Sequence, residues 1–193
     1  MRRLAALLLT ILPLAGCSEP PHKEMNRAQG AIDAARAAGA EQYAAGPYAD
    51  ATTALQQSHE AVGQRDYRLA LSRAIDAYER AQDAAKLAAD GKAKARSEAE
   101  MIVSATSTAA LTLNFRLKAA GAARLPARDL ATPRETAKAA DATLQKARAA
   151  LKAGAYLDAI ESVKGLDVRI RTQIQAIEAI PPARATRRAG RGR

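Results

Sequence analysis

Residues 132–180, TPRETAKAADATLQKARAALKAGAYLDAIESVKGLDVRIRTQIQAIEAI, contain the two most regular helical patterns in the chain. They begin with Thr132-Pro133-Arg134-Glu135, a helix-start signal that offers an N-cap hydroxyl, a proline at the first helical position and a carboxylate able to close a capping box. Small and apolar side chains then recur every three or four residues as far as Gly154, and a second such series starts at Tyr156. This period is typical of helices that bury one face, so the stretch predicts two helices joined by a turn.

The segments upstream show the same period. One helix is predicted from about residue 21 to 38 and another from 47 to 63, since glycine and proline interrupt the chain between them. Asp66 is a suitable N-cap for a third helix, which meets no proline before Pro126 and is therefore predicted to be long. The residues predicted to form its packing seam are Leu71, Ile75, Tyr78 and Ala85.

Residues 101–115 of this long helix carry no charge. Their Thr, Ser and Val content leaves a strand as an alternative, but the segment is too short and too polar to span a membrane. We predict that it is the most buried part of the helix. Aromatic residues make up only 3% of the chain, which favours helices packed closely over small side chains. The predicted fold is all-α: an elongated, Ala-rich antiparallel bundle of two helical hairpins with one long central helix.

An internal repeat is indicated by an offset of 89 residues between similar positions. Each unit, at about 47–90 and 133–180, is predicted to be a helix, a turn containing glycine, a tyrosine and a second helix, which is the pattern of a helical hairpin. Chance alignment of Ala-rich helices is the alternative. The aligned pairs are Leu55 with Leu144, Val62 with Leu151, Tyr67 with Tyr156, Ala70 with Ala159, and Leu71 with Ile160.

The N-terminal residues have the three regions of an export signal. Arg2-Arg3 is a positive region, residues 4–14 are mainly apolar, and Leu14-Ala15-Gly16-Cys17 ends in small residues and a thiol. This last motif resembles the lipobox of bacterial lipoproteins. The resemblance implies cleavage between Gly16 and Cys17 and attachment of membrane lipid to the Cys17 sulfur. A transmembrane anchor and an ordinary secretory signal are the alternatives, but the apolar run is shorter than the roughly 20 residues that span a bilayer.

These signals predict the organisation of the chain. Residues 1–16 are the signal peptide, 17–24 a lipidated tether, 25–180 the helical bundle and 181–193 a disordered basic tail. In Gram-negative lipoproteins, an Asp after the lipidated cysteine resembles an inner-membrane retention signal. Ser18 at that position therefore favours attachment to the outer membrane, with the chain facing the periplasm.

Residues 28–90 carry a second resemblance. Ala40-Glu41-Gln42-Tyr43-Ala44 is followed by Pro47, a face of Ala and Leu, a turn and Tyr67. The pattern resembles a family of Ala-rich helical envelope lipoproteins, catalogued as a domain of unknown function, in which a Tyr-Ala-Pro step precedes a helical hairpin. Some members continue into an OmpA-type peptidoglycan-binding domain, whereas residues 132–180 here have a purely helical pattern. The resemblance implies the hairpin fold and transfers no catalytic residue.

The chain is basic, with a formal charge of +10 that falls to +8 once Arg2 and Arg3 leave with the signal peptide. A basic balance favours anionic partners, which for an exported protein are lipid head groups, lipopolysaccharide or cell-wall acids. Nucleic acid is disfavoured because export separates the chain from it. The basic tail either contacts an anionic surface or only keeps the end of the chain soluble. Its arginines are Arg184, Arg187, Arg188, Arg191 and Arg193.

Side chains suited to catalysis or metal binding are scarce. The two histidines are His22, in the tether, and His59, on a predicted helix surface, and lipid uses the one cysteine. A zinc site needs three or four ligands, so no metal and no cofactor is predicted. The acidic residues should form ion pairs on a solvated face, and the tyrosines should pack at the edge of the core.

Without a catalytic constellation, the chain is predicted not to be an enzyme. We expect a scaffold or adaptor that binds an envelope protein through its helix faces and its basic tail. The alternative is a peptidoglycan- or lipopolysaccharide-binding module that uses basic residues. In both cases the acyl groups on Cys17 would hold the chain on membrane lipid.

Overall fold

The computed structural model describes residues 19–181, and all regular structure in that part of the chain is helical. The all-α prediction is confirmed there, and so is the long central helix, α4, with 56 residues. The chain divides into two compact units inside α4, between Ala89 and Asp90. The helices are α1 (His22–Ala37), α2 (Ala40–Tyr43), α3 (Ala45–Gly63), α4 (Tyr67–Ala122), α5 (Ala131–Ala153), α6 (Tyr156–Val163) and α7 (Leu166–Glu178).

The first helix starts close to residue 21, where its pattern predicts, and so overlaps the segment assigned to the tether. It begins at His22, inside residues 17–24, which we expected to be a tether. Pro20 and Pro21 do not prevent this, because proline lacks an amide hydrogen but keeps its carbonyl. The Pro20 carbonyl accepts the His22 N–H at 2.8 Å, and the Pro21 carbonyl accepts the Met25 N–H at 3.1 Å.

The first unit packs α1, α2, α3 and the first part of α4 around small side chains. The seam predicted for α4 is wrong: Leu71 is 38% exposed, Ile75 is 45% exposed, and Tyr78 and Ala85 are only partly buried. The helix turns a neighbouring stripe inward instead, because alanine lets helix backbones approach closely while larger side chains fit at the flank. This stripe, the alanine seam, consists of Ala70, Ala74, Ala77, Ala81, Ala84 and Ala88, each 0% exposed.

The second unit has a core of larger side chains. Leu113 on α4, Leu130 before α5, and Leu166 and Ile170 on α7 are all fully buried in one cluster. The second unit therefore fills its core mainly with Leu, Ile and Val, whereas the first relies mainly on close helix approach.

The uncharged segment 101–115 is helical, not extended, but it is not the most buried part of α4. One stripe of it faces the core of the second unit through Val103, Thr106, Ala110 and Leu113. The opposite stripe is open to solvent. A helix that packs on one side buries one stripe, whatever the composition of the other.

The helix-start signal at Thr132 is not used as predicted. α5 begins at Ala131 with Leu130 as its N-cap residue, and no side chain caps it. The Leu130 N–H donates to the Ala127 carbonyl at 3.3 Å, so the preceding turn runs directly into the helix and the capping box does not form. Pro133 still lies in the first turn, where helical N–H groups have no intrahelical acceptor.

The last predicted helix is divided in two. α6 ends at Val163 and α7 begins at Leu166, because Gly165 lies in the left-handed region with φ of 69°. Glycine adopts this conformation without the steric cost of a Cβ atom. The apolar period continues across the break, since Val163 and Leu166 are both 2% exposed, and this continuity hid the break in the sequence.

The turns after α3 and α5 have the same backbone hydrogen bonds. Both are Schellman motifs around a left-handed residue, which is Arg65 in the first turn (φ 60°) and Gly154 in the second (φ 76°). The bonds, all between 2.9 and 3.1 Å, run from Arg65 N to Val62 O, from Asp66 N to Ala61 O, from Gly154 N to Leu151 O, and from Ala155 N to Ala150 O.

The offset of 89 residues that relates these turns also relates buried positions of the two units. Both members of each pair are buried, although the side chains differ in size. The pairs are 44 with 133, 48 with 137, 51 with 140, 55 with 144, 58 with 147, 70 with 159, 74 with 163, 77 with 166, 81 with 170, and 88 with 177.

The turn at Gly154 allows a test of backbone conformation without steric change. A Cβ atom at Gly154 would meet nothing within 4 Å, so Gly154→Ala should destabilise the fold only through its positive φ, by about 1 kcal/mol. Gly30, inside α1, has the same open space, and Gly30→Ala should stabilise by about 1 kcal/mol, because alanine favours helix. Urea unfolding of the two variants should show opposite signs, and equal signs would contradict the conformational account.

Candidate functional site

The residues that the sequence marks for attachment or charge lie outside the described part of the chain. Gly16 and Cys17 precede residue 19, and the tail arginines follow residue 181. The tail residues in question are Arg184, Arg187, Arg188, Arg191 and Arg193. The described residues therefore contribute helix surfaces to a candidate site.

Within residues 19–181, no helix is long and apolar enough to cross a bilayer. No three ligating side chains of that part lie together in a way that could hold a metal ion. His22 and His59 are both exposed, which confirms the surface position predicted for His59.

Four concave regions on the described surface are grooves open to solvent. The largest of four holds about 490 Å³ and is lined by residues 19–24 and Leu71. Another, of about 290 Å³, lies between α1 and α3 beside His59. Small-molecule sites enclose most of the ligand, so these grooves are better suited to contact with another surface.

Several charged side chains of the first unit are paired with each other. Arg80 bonds to Asp76 at 2.8 Å along α4 and reaches Asp50 on α3 at 3.8 Å. The hydrogen bond from Arg80 to Asp76 raises the pKa of the Arg80 guanidinium above its ordinary value. Glu41 pairs with Arg36 at 3.1 Å. These contacts confirm the prediction of a solvated face with local ion pairs.

Tyr78 joins α1 to α4 at the edge of the first core. The Arg27 guanidinium lies 4.1 Å from its ring centroid and donates to its hydroxyl at 2.9 Å. Gln82 donates to the same hydroxyl at 2.7 Å. Tyr48 is 8% exposed and Tyr43 packs against the same core. The predicted packing at the edge of the core is confirmed for Tyr43 and Tyr78, whereas Tyr48 lies inside the core and its buried hydroxyl has no hydrogen-bond partner among the described residues.

Sequence reasoning missed one exposed surface on the second unit, which we call the α4 face. Its three large residues are strongly exposed: Met101 at 64%, Leu111 at 70% and Phe115, the one phenylalanine in the chain, at 67%. Ser104 and Thr108 lie between them and are also exposed. A signal was available, because positions 101, 104, 108, 111 and 115 form a stripe distinct from that of 103, 106, 110 and 113. The α4 face is therefore uncharged and faces solvent.

Comparison of the chain with family models, with curated proteins and with solved structures gave no match. The candidate surfaces therefore have to be interpreted from their own chemistry. They are a charged surface with several ion pairs and open grooves on the first unit, and an uncharged, apolar strip on the second.

Sequence reasoning also missed Ser58, a polar group inside the first unit. Its side chain is 0% exposed, and its Oγ donates to the Ala70 carbonyl at 2.7 Å. The bond joins α3 to α4 near their shared turn. Burial satisfied by one hydrogen bond indicates a structural role for Ser58 rather than a catalytic one.

Proposed function

We propose that this protein is a lipid-anchored bacterial envelope protein that acts as a helical scaffold or adaptor and catalyses no reaction. The observation that carries the proposal is Leu14-Ala15-Gly16-Cys17 behind a short apolar run and Arg2-Arg3. Cleavage before Cys17 would leave a residue able to carry several acyl chains, and more than one chain is needed for stable anchoring. Ser18 supports placement on the outer membrane, facing the periplasm.

We further propose that the helices form two antiparallel hairpins that arose by duplication, at about 47–90 and 133–180. The shared Schellman turns and the buried positions at an offset of 89 residues support this proposal. The likeness of residues 28–90 to the Ala-rich helical lipoprotein family belongs to the same proposal. A hairpin array of this kind presents long helix surfaces, which suits the binding of another protein.

A scaffold is favoured over an enzyme by the chemistry of the described surface. Its prominent charged groups, such as Arg80 and Asp76, serve each other in ion pairs. Its grooves are open to water, and the one cysteine of the chain is committed to lipid in this proposal. The partner would be an envelope protein that recognises helix surfaces.

The anchor is tested by Cys17→Ser in a Gram-negative host. Serine has no thiol to accept the diacylglyceryl group, so we expect complete loss of lipid from the N-terminal peptide by mass spectrometry. The protein should also shift from the membrane fraction to the soluble fraction. Ser18→Ala, one residue further on, is the matched control and should keep both lipid and membrane attachment. A Cys17→Ser protein that carries no lipid and still sediments with membranes would overturn the proposal.

A second candidate is a module that binds peptidoglycan or lipopolysaccharide through basic residues. The specific observation in its favour is the five arginines between residues 184 and 193. A chain ending at Pro182 separates the two candidates in a pull-down with purified cell wall or lipopolysaccharide. The second candidate expects binding that weakens with salt and is lost on truncation, whereas the first expects envelope-protein binding that persists after truncation because the helix faces remain.

A further inference from the structure

The α4 face (Met101, Ser104, Thr108, Leu111 and Phe115) has the pattern of a helix-pairing surface. Its spacings of three, four, three and four residues keep these side chains on one stripe of a helix that pairs with another. The large residues lie toward the two ends, and the small Ser104 and Thr108 lie near the middle. Because more than 60% of each large side chain is exposed, the stripe has no cover within residues 19–181.

Two acidic residues flank this stripe at one end, and two basic residues flank it at the other. Glu98 and Glu100 precede it, whereas Arg116 and Lys118 follow it, and all four are exposed. Glu98 and Arg116 are eighteen residues apart, as are Glu100 and Lys118, and this spacing is five full turns at about 3.6 residues per turn. Each acidic residue therefore lies on the same flank of α4 as one basic residue.

We propose that the α4 face binds the α4 face of a second copy of this chain, with the two helices antiparallel about a two-fold axis beside Thr108. In that arrangement Met101 lies level with the partner's Phe115, a favourable contact between a thioether and an aromatic ring. The small side chains near Thr108 let the two helices approach at the centre. An isologous interface of this kind needs a self-complementary surface.

The flanking charges select a second copy in this orientation. A two-fold axis across antiparallel helices places equal flanks together, so Glu98 meets the partner's Arg116 and Glu100 meets the partner's Lys118. A parallel pair would instead place unequal flanks together and bring Glu98 near the partner's Glu100 and Arg116 near the partner's Lys118, which is repulsive. An anionic lipid surface would attract Arg116 and Lys118 but repel Glu98 and Glu100, whereas an antiparallel copy pairs all four. The charge pattern thus favours an antiparallel copy over both other occupants.

Two of these charges already have partners within the chain. Arg96 bonds to Glu100 at 2.8 Å, and Arg116 bonds to Glu178 at 3.0 Å. About half of each of these side chains remains exposed, so each can accept a further partner without losing the first. Arg171, on α7 beside Thr108 and Thr112, is paired with Asp167 at 2.9 Å. It adds one positive group at the edge of the proposed interface.

One helix face per copy is small beside the roughly 1,600 Å² of a standard stable interface. We therefore expect a weak dimer in solution, with a dissociation constant of about 10 μM. Confinement of copies to one membrane would raise their effective concentration and the dimer population. The interface itself does not depend on the anchor, so failure of one proposal leaves the other intact.

The apolar part of the interface is tested with the full mature chain in detergent micelles by sedimentation equilibrium. Leu111→Lys combined with Phe115→Lys should weaken dimerisation at least tenfold, because it places like charges in the interface. The far-ultraviolet circular dichroism and the melting temperature should stay unchanged, since both side chains are exposed. Leu87→Lys, at a residue 46% exposed in the first unit of the same helix, is the matched control and should dimerise normally. Normal dimerisation of the double variant would overturn the proposal.

The orientation is tested by charge exchange. Glu100→Lys and Lys118→Glu should each weaken the dimer several-fold, and the two together should restore it, because each new charge again meets its opposite in the partner. A double variant weaker than either single variant would exclude the antiparallel pairing.

A cross-linking experiment gives an independent reading of the orientation. Ser97→Cys and Ala119→Cys lie at opposite ends of the stripe, about 33 Å apart along the helix. With Cys17 acylated, a short bis-maleimide should cross-link a Ser97→Cys copy to an Ala119→Cys copy when the two variants are mixed. It should not cross-link two copies of the same variant. Self-joining of Ser97→Cys would show parallel pairing. An unchanged dimer, together with loss of anionic-vesicle binding when Leu111→Ser and Phe115→Ser are combined without added charge, would assign the face to lipid.

Discussion

Ile170→Ala should lower the free energy of unfolding by about 3 kcal/mol, the usual cost of emptying a buried isoleucine site. Ile170 lies on α7, is 0% exposed, and shares a cluster with Leu113, Leu144 and Leu166. Removal of its side chain takes away apolar burial and leaves a cavity that the surrounding helices fill only in part. Urea unfolding followed by circular dichroism measures the change, with the slope of the transition used to check that the unfolded state is unchanged.

The control for this variant is Val168→Ala, two residues earlier on the same helix. Val168 is 66% exposed, so its truncation should change the free energy of unfolding by less than about 0.5 kcal/mol. Equal losses of unfolding free energy for the two variants would contradict a helix α7 that buries Ile170 and exposes Val168.

Ala81→Ile should lower the free energy of unfolding by about 2 kcal/mol, although it adds apolar surface. Ala81 is the position 89 residues before Ile170, and it lies in the alanine seam of the first unit with 0% exposure. Three added carbon atoms have no room where helices meet over alanine, so the helices must move apart or the new side chain must adopt a strained rotamer. Thermal or urea unfolding measures the loss.

Ala89→Ile provides the same chemical change at an exposed position of the same helix. It should cost only the small difference in helix propensity, about 0.4 kcal/mol. If Ala81→Ile is as mild as this control, the alanine seam does not hold the helices in close contact.

Ile170→Ala and Ala81→Ile change two positions that the offset of 89 residues relates but that require side chains of different size. The same large side chain is expected to stabilise the second unit at 170 and to destabilise the first at 81. An offset that preserves which positions are buried therefore does not preserve how the core is filled. The first unit reaches its packing density through the approach of helices, and the second through side-chain volume.

Local features of the fold could be predicted from the sequence because neighbouring residues decide them. Asp66 was expected to cap the long helix, and its Oδ1 accepts the Leu69 N–H at 2.9 Å. The break at Gly39 was also expected, and this residue has a φ of 90°. Caps and left-handed positions depend on one or two side chains and on the backbone beside them, so the sequence determined them by itself.

The α4 face could be predicted less well from the sequence. The sequence showed that residues 101–115 are uncharged, and we expected burial, but Met101, Leu111 and Phe115 are exposed. A segment with apolar residues on two stripes can bury either one. Composition alone does not show which stripe other helices cover.

The sequence by itself determined that the chain is helical and where most of its helices end. It also determined which motif could carry a lipid. Only the tertiary structure decided that α4 turns its alanine seam inward and leaves Leu71, Ile75 and the α4 face outside. The physical reason is that helix-forming signals act within one or two turns of chain, whereas the choice of buried stripe depends on which distant helices pack against it. Alanine favours helix equally well inside and outside, so its role in the core became apparent only from packing.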